Sequence, residues 1–526
     1  MKRVTLGLAT LLSGFLGLAQ STQAQGTYVD DALLFSRTGP SGTARTLGLG
    51  GSNASLGGDF GSLSVNPAGL GLYTRSEFTF SPGIGLGNTT GTPLVNAAST
   101  GGAGLDQSAN SFHVASIGLV FANRLTDNDR SSDWRGGAFS LGFTRQADFN
   151  QALRYQNQTT DKYSFFQALR EPGGYSNPSS AGYQNAVLNI TNQNSSQEYT
   201  NFDGLAYGGY LTDKIKTKHT GLDSIVIAQD PAIDKKRSGA IQQNERITTT
   251  GSLSQFDLGY GGNYRDRLYI GGAVGIVSLR RTRTSTFGET SSGSEDFRYD
   301  DYLRTTGTGI NARVGLIYRL VDAVRLGASI QTPTYISLND EYNTTLTVNP
   351  AYLNGTNTTQ TVFSTQPGTA TYSIVTPFRA NGGATVVLGK YGFITGDVEY
   401  VGYQQARYGL DTDDGTLATA NSLVKQYYKN TVNLRAGIEG RFDIFRVRLG
   451  YAHYGDPYSQ STLDRSQDYF TGGLGFRTKT FFLDGAAVYT TFRDQYAPYT
   501  LATTVGPLIN SNSHRTTATI TAGIFF

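Results

Sequence analysis

From Val432 to Phe442 the chain alternates strictly, with Val432, Leu434, Ala436, Ile438, Gly440 and Phe442 on one side and Asn433, Arg435, Gly437, Glu439 and Arg441 on the other. Successive side chains of a strand point to opposite faces, so this stretch reads as a strand with one apolar and one polar face. The pattern recurs with Phe445, Val447, Leu449 and Tyr451 against Arg446 and Arg448. It recurs again with Ile310, Ala312, Val314, Leu316, Tyr318 and Leu320 against Asn311, Arg313 and Arg319. Many such ribbons either bury their apolar faces against one another, as in a soluble sandwich, or turn them outward to hydrocarbon in a closed barrel. Alternation alone leaves both open.

The connections decide. Strand-like segments fall near 76–86, 112–122, 134–149, 246–265, 267–286, 301–320, 323–346, 368–389, 391–408, 428–442, 444–455, 467–479, 480–494 and 514–526. Tight turns such as Arg265-Asp266-Arg267, Gly389-Lys390-Tyr391 and Phe442-Asp443-Ile444 alternate with long polar stretches, among them 87–111, 287–300, 347–367, 409–427 and 495–513. Short turns on one rim and long loops on the other is the arrangement of an outer-membrane barrel, with the short turns periplasmic. The predicted fold is therefore all-β: a transmembrane antiparallel β-barrel of about 14 strands, spanning 76–526. The last strand sets Ala518, Ile520, Ala522, Ile524 and Phe526 on one face and ends on an aromatic. That ending resembles the signal read by the outer-membrane barrel assembly machinery, an expected partner.

Composition agrees where it bears on this choice. A mean hydropathy of -0.30 argues against a helical membrane bundle, while 66 Gly, 32 Tyr and 28 Phe with only 14 Pro suit many strands with aromatic girdles. The absence of Cys excludes disulfides, thiolate metal sites and a lipid-anchored N-terminal cysteine. Formal charge is +3, and removing Lys2 and Arg3 with a leader leaves 3 - 2 = +1, so no steering toward nucleic acid follows.

Residues 1–24 have signal-peptide grammar: basic Lys2-Arg3, an apolar run from Val4 to Ala19, and small residues up to Ala24, after which cleavage is expected. Residues 25–75 are Gly-rich and carry neither strand nor helix period. They read as a compact plug, or hatch, inside the barrel, with turns at Gly48, Gly50, Gly51, Gly57, Gly58 and Gly61 and apolar contact from Leu47, Leu49, Leu56, Phe60, Leu63 and Val65. Asn66-Pro67 forces Asn66 out of the helical region.

In Gly42, Ala44, Gly48, Gly51, Ala54, Gly58, Asp59, Ser62 and the run Asn66-Pro67-Ala68, followed at once by an amphipathic strand, this segment resembles the FadL/TodX family of outer-membrane transporters of hydrophobic compounds. The resemblance implies an N-terminal hatch with Asn66, Pro67 and Ala68 as its motif. It also implies passive uptake of long-chain fatty acids or aromatic hydrocarbons through an apolar lumen site. The exit is a lateral opening made by a kink in the third strand, where Gly136, Gly137 and Gly142 are the candidate bends.

The insertion 150–245 reads as a strandless extracellular loop with short helices, Phe165, Phe166 and Leu169 sharing one face and Ala186, Val187 and Ile190 another. It is either a hydrophobic landing groove or a mobile lid. Inward-facing Asp397, Glu399, Arg435, Glu439, Arg441, Arg446 and Arg448 are expected to form a lumen ionic network, because unpaired charge inside a plugged barrel is costly. It would brace the wall or serve gating. His113, His219, His453 and His514 lack metal-ligand spacing, and no nucleophile elbow, Walker loop or zinc motif occurs, so neither enzyme activity, cofactor nor metal is expected. Expected partners are outer-membrane lipids and a hydrophobic small molecule, with no nucleic acid. A secretion-accessory shuttle barrel and a general porin are the competing functions.

Overall fold

The computed structural model describes residues 22–126, 131–165, 167, 199, 205, 206, 209, 213–216, 223–226, 239–291, 294–349, 361–409, 415–459, 463–501 and 505–526. Its wall is one antiparallel sheet in which fourteen strands pair in chain order and the last pairs with the first. They are β1 (Glu77–Pro93), β2 (Leu105–Arg124), β3 (Trp134–Asp148, resuming as Gln151–Thr160), β4 (Ala240–Tyr264), β5 (Leu268–Ser291), β6 (Ser294–Val321) and β7 (Val324–Gln331, resuming as Tyr335–Val348). Then follow β8 (Gly368–Val375, resuming as Arg379–Val387), β9 (Gly392–Val401, resuming as Arg407–Gly409), β10 (Thr431–Phe442), β11 (Phe445–Tyr454), β12 (Gln467–Arg477), β13 (Phe481–Tyr496) and β14 (Ile509–Phe525). Closure leaves no end strand without a neighbour, as a hydrocarbon environment requires.

The facing of the strands settles sandwich against barrel. On β10, Val432, Leu434, Ile438 and Phe442 are exposed on the outside, while Asn433, Arg435 and Glu439 are buried inside. β6 repeats this from Ile310 to Leu320 and β14 does so at Ile520 and Ile524. An outward apolar band around a polar interior is a membrane-spanning barrel, with no helix among the described residues long and apolar enough to span.

Several boundaries differ from the sequence reading. β1 runs on to Pro93, β2 begins at Leu105, and β5 and β6 pair up to Ser291 and Ser294, so much of the loops at 87–111 and 287–300 is strand. The insertion is not strandless: Gln151–Thr160 pairs with the start of β4, and Asp213–Lys216 pairs with Asp223–Val226. These extensions lie beyond the apolar band, where the outer face is polar as well, as at Arg154 and Gln156. There the outward-apolar pattern of the wall is lost: Leu153 and Tyr155 are buried while Arg154 and Gln156 face out. Phe166, Leu169, Ala186, Val187, Ile190 and His219 lie outside the described residues, as do 1–21 of the expected leader.

Prolines interrupt two strands. Pro333 and Pro377 lack a donor and fall in the breaks of β7 and β8, which sit side by side through Thr334 N–H to Thr376 Oγ1 (3.1 Å) and Thr376 N–H to Thr334 O (2.9 Å). Beyond the breaks, Ile336, Leu338, Tyr372 and Ile374 are buried on the lumen side.

Candidate functional site

The lumen holds the chain's own beginning. Helix α1 (Thr22–Leu34) is followed by the short α2 (Ala44–Gly48) and α3 (Ser62–Val65), then a 3-10 turn at Pro67–Leu72 that leads into β1. Thr43 caps α2, accepting from Thr46 N–H. The Asp59 carboxylate ties these pieces together by accepting from Thr43 Oγ1, Thr46 Oγ1 and Gly61 N–H, each at 2.8 Å.

Small residues in the wall make room for this backbone. A Cβ on Gly118 or Gly142 would overlap the Phe60 ring, one on Gly271 would overlap Pro67, one on Gly327 the Ala54 carbonyl, and one on Gly450 the Gly50 amide. Asn66, Pro67 and Ala68 are all buried here. Asn66 is extended (φ -140°, ψ 102°), as its proline neighbour demands. Its Oδ1 accepts from Ala68 N–H at 3.1 Å, and its Nδ2 donates to Ala54 O (2.6 Å), Leu316 O (3.0 Å) and Ala328 O (3.3 Å). The motif thus hydrogen-bonds to β6 and β7 of the wall.

The seven charged residues singled out in the sequence divide. Glu399 meets Arg435 (2.5 Å) and Arg379 (3.2 Å), and Asn433 donates to it at 2.8 Å. Glu439 meets Arg448 (2.8 Å), Arg441 (2.9 Å) and Arg45 of the N-terminal segment (3.6 Å), and Arg448 continues to Asp484 at 2.6 Å. Asp397 accepts the backbone N–H groups of Asn53 (2.7 Å) and Ala54 (2.9 Å). Arg446 joins neither group; it donates to the carbonyls of its own turn, Asp443 and Phe445. Arg45, Arg379 and Asp484 were missed because nothing local in the sequence marks partners so distant along the chain.

β2 and β3 are paired over only part of their length. These strands pair from Arg124 and Gly136 up to Ser116 and Thr144, where the pairing stops. β3 bulges between Arg145 and Ala147, and after Asp148 its continuation pairs only with β4. Arg515 on β14 reaches the carbonyls of Asp148 and Asn150, which marks the displaced chain as turned into the lumen. The two edges meet again where Gly104 bridges Tyr155. Gly136, Gly137 and Gly142 all stand in the paired part of β3, Gly136 in a bulge with φ 116° and Gly142 beneath Phe60.

Beside the unpaired stretch of β2 and β3 is a cavity of about 450 Å³. His113 and Ala115 of β2, Arg145 to Asp148 of β3 and the following Phe149, and Leu33 and Leu34 of α1 with Arg37 just after it contribute to its lining, as do Arg281, Arg465 and Arg515. This lining is amphipathic, not uniformly apolar as expected. The apolar part of the inner wall lies beside it, where Leu253, Val277, Ile336 and Tyr372 are covered by Val29, Ala32, Leu33 and Phe35 and by helix α4 (Gly415–Tyr427). Among the described residues no His/Asp/Glu grouping could hold a metal.

These features define a class: a closed fourteen-stranded transmembrane barrel whose N-terminal segment packs against inward-facing residues of the wall. No family model matches the chain and no curated protein matches it. Among solved structures it is similar to a FadL homologue of Pseudomonas aeruginosa, at 12% identity and a TM-score of 0.51, covering 93% of this chain and 99% of that one. The P. putida toluene transporter TodX (12% identity, TM-score 0.49) and the Ralstonia pickettii toluene transporter TbuX (14%, 0.45) match over the same shares of both chains. The fold is of the FadL/TodX type.

Proposed function

We propose that this protein is an outer-membrane channel for passive uptake of hydrophobic small molecules, residues 25–75 acting as its hatch. Solutes arriving at the long-loop rim enter the lumen cavity and leave sideways through a window between β2 and β3 where their pairing stops. The observation that carries this is that residues of β2 and β3 on both sides of the unpaired stretch line the cavity wall. A water-filled pore offers apolar solutes no solvation, whereas contact with protein followed by release into the bilayer gains about 0.8 kcal/mol per buried methylene throughout. The arginines of the lining favour an amphiphile with an anionic head, such as a long-chain fatty acid, over an unsubstituted hydrocarbon.

The test is uptake in a strain lacking the protein, complemented with wild type or Ala115→Trp. Bulk at Ala115 narrows the window and should lower uptake at least tenfold with barrel assembly unchanged. Normal uptake of every apolar solute by the uncomplemented strain would overturn the proposal.

A further inference from the structure

Aromatic side chains on neighbouring strands mark the long-loop edge of the apolar band. Tyr451 of β11, Phe470 of β12 and Tyr489 of β13 stand in register and all face out, with the rings of Tyr451 and Phe470 5.3 Å apart. Rings so placed sit at the boundary between hydrocarbon and lipid headgroups. In the next outward row toward the long loops the wall turns polar, with His453, Asp468, Thr491 and His514 side by side on β11 to β14. The row beyond it sets Arg493 beside Asn512 and Thr90. Members of both rows line a groove of about 700 Å³, to which the β11–β12 connection adds Asp464 and Ser466.

Most of the charge in this groove is already matched. Asp468 accepts from Tyr451 Oη at 2.6 Å and lies 2.9 Å from His453 Nδ1. Asp494 meets Arg465 at 2.8 Å, and Asp464 accepts from Ser466 N–H at 2.9 Å. Arg493 and His514 are exposed, and among the described residues their side chains make no ion pair or hydrogen bond. What remains is a free guanidinium among hydroxyl, amide, imidazole and part-used carboxylate groups, with the Tyr489 ring at the edge. A saccharide matches that set: its hydroxyls both donate and accept, its apolar face covers a ring, and a phosphate on it suits the guanidinium fork. Leu483 and Ile520 are exposed lower on the same strands, so the acyl chains of surrounding lipids cover the wall directly beneath.

We propose that this groove holds the saccharide headgroup of a glycolipid in the outer leaflet, with an acidic substituent of the sugar on Arg493. The acyl chains of that lipid lie along the apolar band below the aromatic row. The proposal concerns the lipid-facing side of the wall and stands or falls apart from the uptake reading.

The experiment is native mass spectrometry of the folded, full-length mature chain in detergent, titrated with three probes. They are an acylated glucosamine disaccharide bearing phosphates, its dephosphorylated form, and phosphatidylglycerol. Wild type should retain both glycolipids in preference to phosphatidylglycerol. Arg493→Gln should weaken the phosphorylated glycolipid by about tenfold, the order expected of a lost charge-assisted hydrogen bond, and leave the dephosphorylated one within about twofold. Asn512→Trp, which fills the groove, should weaken both. Arg280→Gln removes an exposed arginine from the outside of β5, away from the groove, and should change neither. Equal retention of phosphatidylglycerol and the glycolipids by wild type would overturn the proposal. So would an unchanged affinity in Arg493→Gln, or a loss in Arg280→Gln as large as in Arg493→Gln.

Discussion

The ring of Phe60 lies on the backbone of Gly142, so close that a Cβ at position 142 would overlap it. Phe60 is fully buried and packs with Leu63, Leu70 and Val120, so it has no free direction in which to yield. A Cβ at 142 would meet the Ile117 carbonyl of the wall before Phe60, whereas one at Gly118 would meet the same ring first, so Gly118→Ala should unseat the N-terminal segment at a cost of about 1–3 kcal/mol, the range for overpacking a filled core. The check is limited proteolysis of folded protein, in which residues 43–72 should be cut faster in the variant and the barrel left intact. Equal cutting rates would show that the contact is dispensable.

Gly142 also shows where the sequence was legible. Period-2 alternation placed the wall strands inside the bilayer because lipid outside and polar lumen inside impose opposite demands on neighbouring residues. At Thr431–Phe442 the outcome matched residue by residue. Outside the apolar band the outward face turns polar, so Gln151–Thr160 inverts the pattern, with Leu153 and Tyr155 buried and Arg154 and Gln156 exposed. Where β2–β3 pairing ends was illegible for a different reason: past the bulge at Arg145–Ala147 the chain is held at Asp148 and Asn150 by Arg515, some 370 residues away in sequence and adjacent only in the closed sheet. Likewise, inward charges were visible at Glu399 and Glu439, whereas their partners Arg379 and Arg45 depend on register and on what fills the lumen.

Asp397 holds the N-terminal segment through two backbone N–H groups, those of Asn53 and Ala54. Hydrogen bonds to an ionised acceptor are the stronger kind, and removing the acceptor strands two donors where no water replaces it. Asp397→Ala should loosen this contact by roughly 1–3 kcal/mol. In planar bilayers the variant should show brief conducting events that wild type lacks, and Asp397→Asn, which keeps one acceptor oxygen, should show fewer. A silent Asp397→Ala channel would remove the residue from any part in retaining the segment.

Glu439 stands among Arg45, Arg441 and Arg448, with side-chain exposure of 2%. Replacing it with Gln leaves three guanidinium groups facing a neutral amide, the costly half of a broken buried ion pair, for which losses run to about 3–5 kcal/mol. Asp484 offsets part of this through Arg448. Glu439→Gln should lower the temperature at which the folded band converts to the unfolded one on unheated-to-heated gel electrophoresis, and Arg45→Met in the same background should restore part of the loss. No shift for either would mean that the network contributes nothing to cohesion.

α1 should dock more weakly as pH rises. Asp30 is exposed to the lumen cavity with protein on all sides of that cavity; desolvation there, then Asp494 and Asp31, push its carboxyl up to about 7, against the pull of Arg281 and Arg465. Asp31 is raised too, by burial, with Arg281 opposing. An undocked aspartate titrates near 3.8, so between about pH 4 and pH 7 the docked helix binds a proton that the undocked one has lost, and the docked state is stabilised by acid. That advantage is complete below the undocked value and is gone once pH has passed through 7. Maleimide labelling of Ala32→Cys should therefore be slow at pH 5.5 and faster at pH 8 after correction for thiol ionisation, and Asp30→Asn should flatten the profile. A corrected rate that stays constant from pH 5.5 to 8, or rises equally in Asp30→Asn, would exclude Asp30 as the group that sets the docking equilibrium.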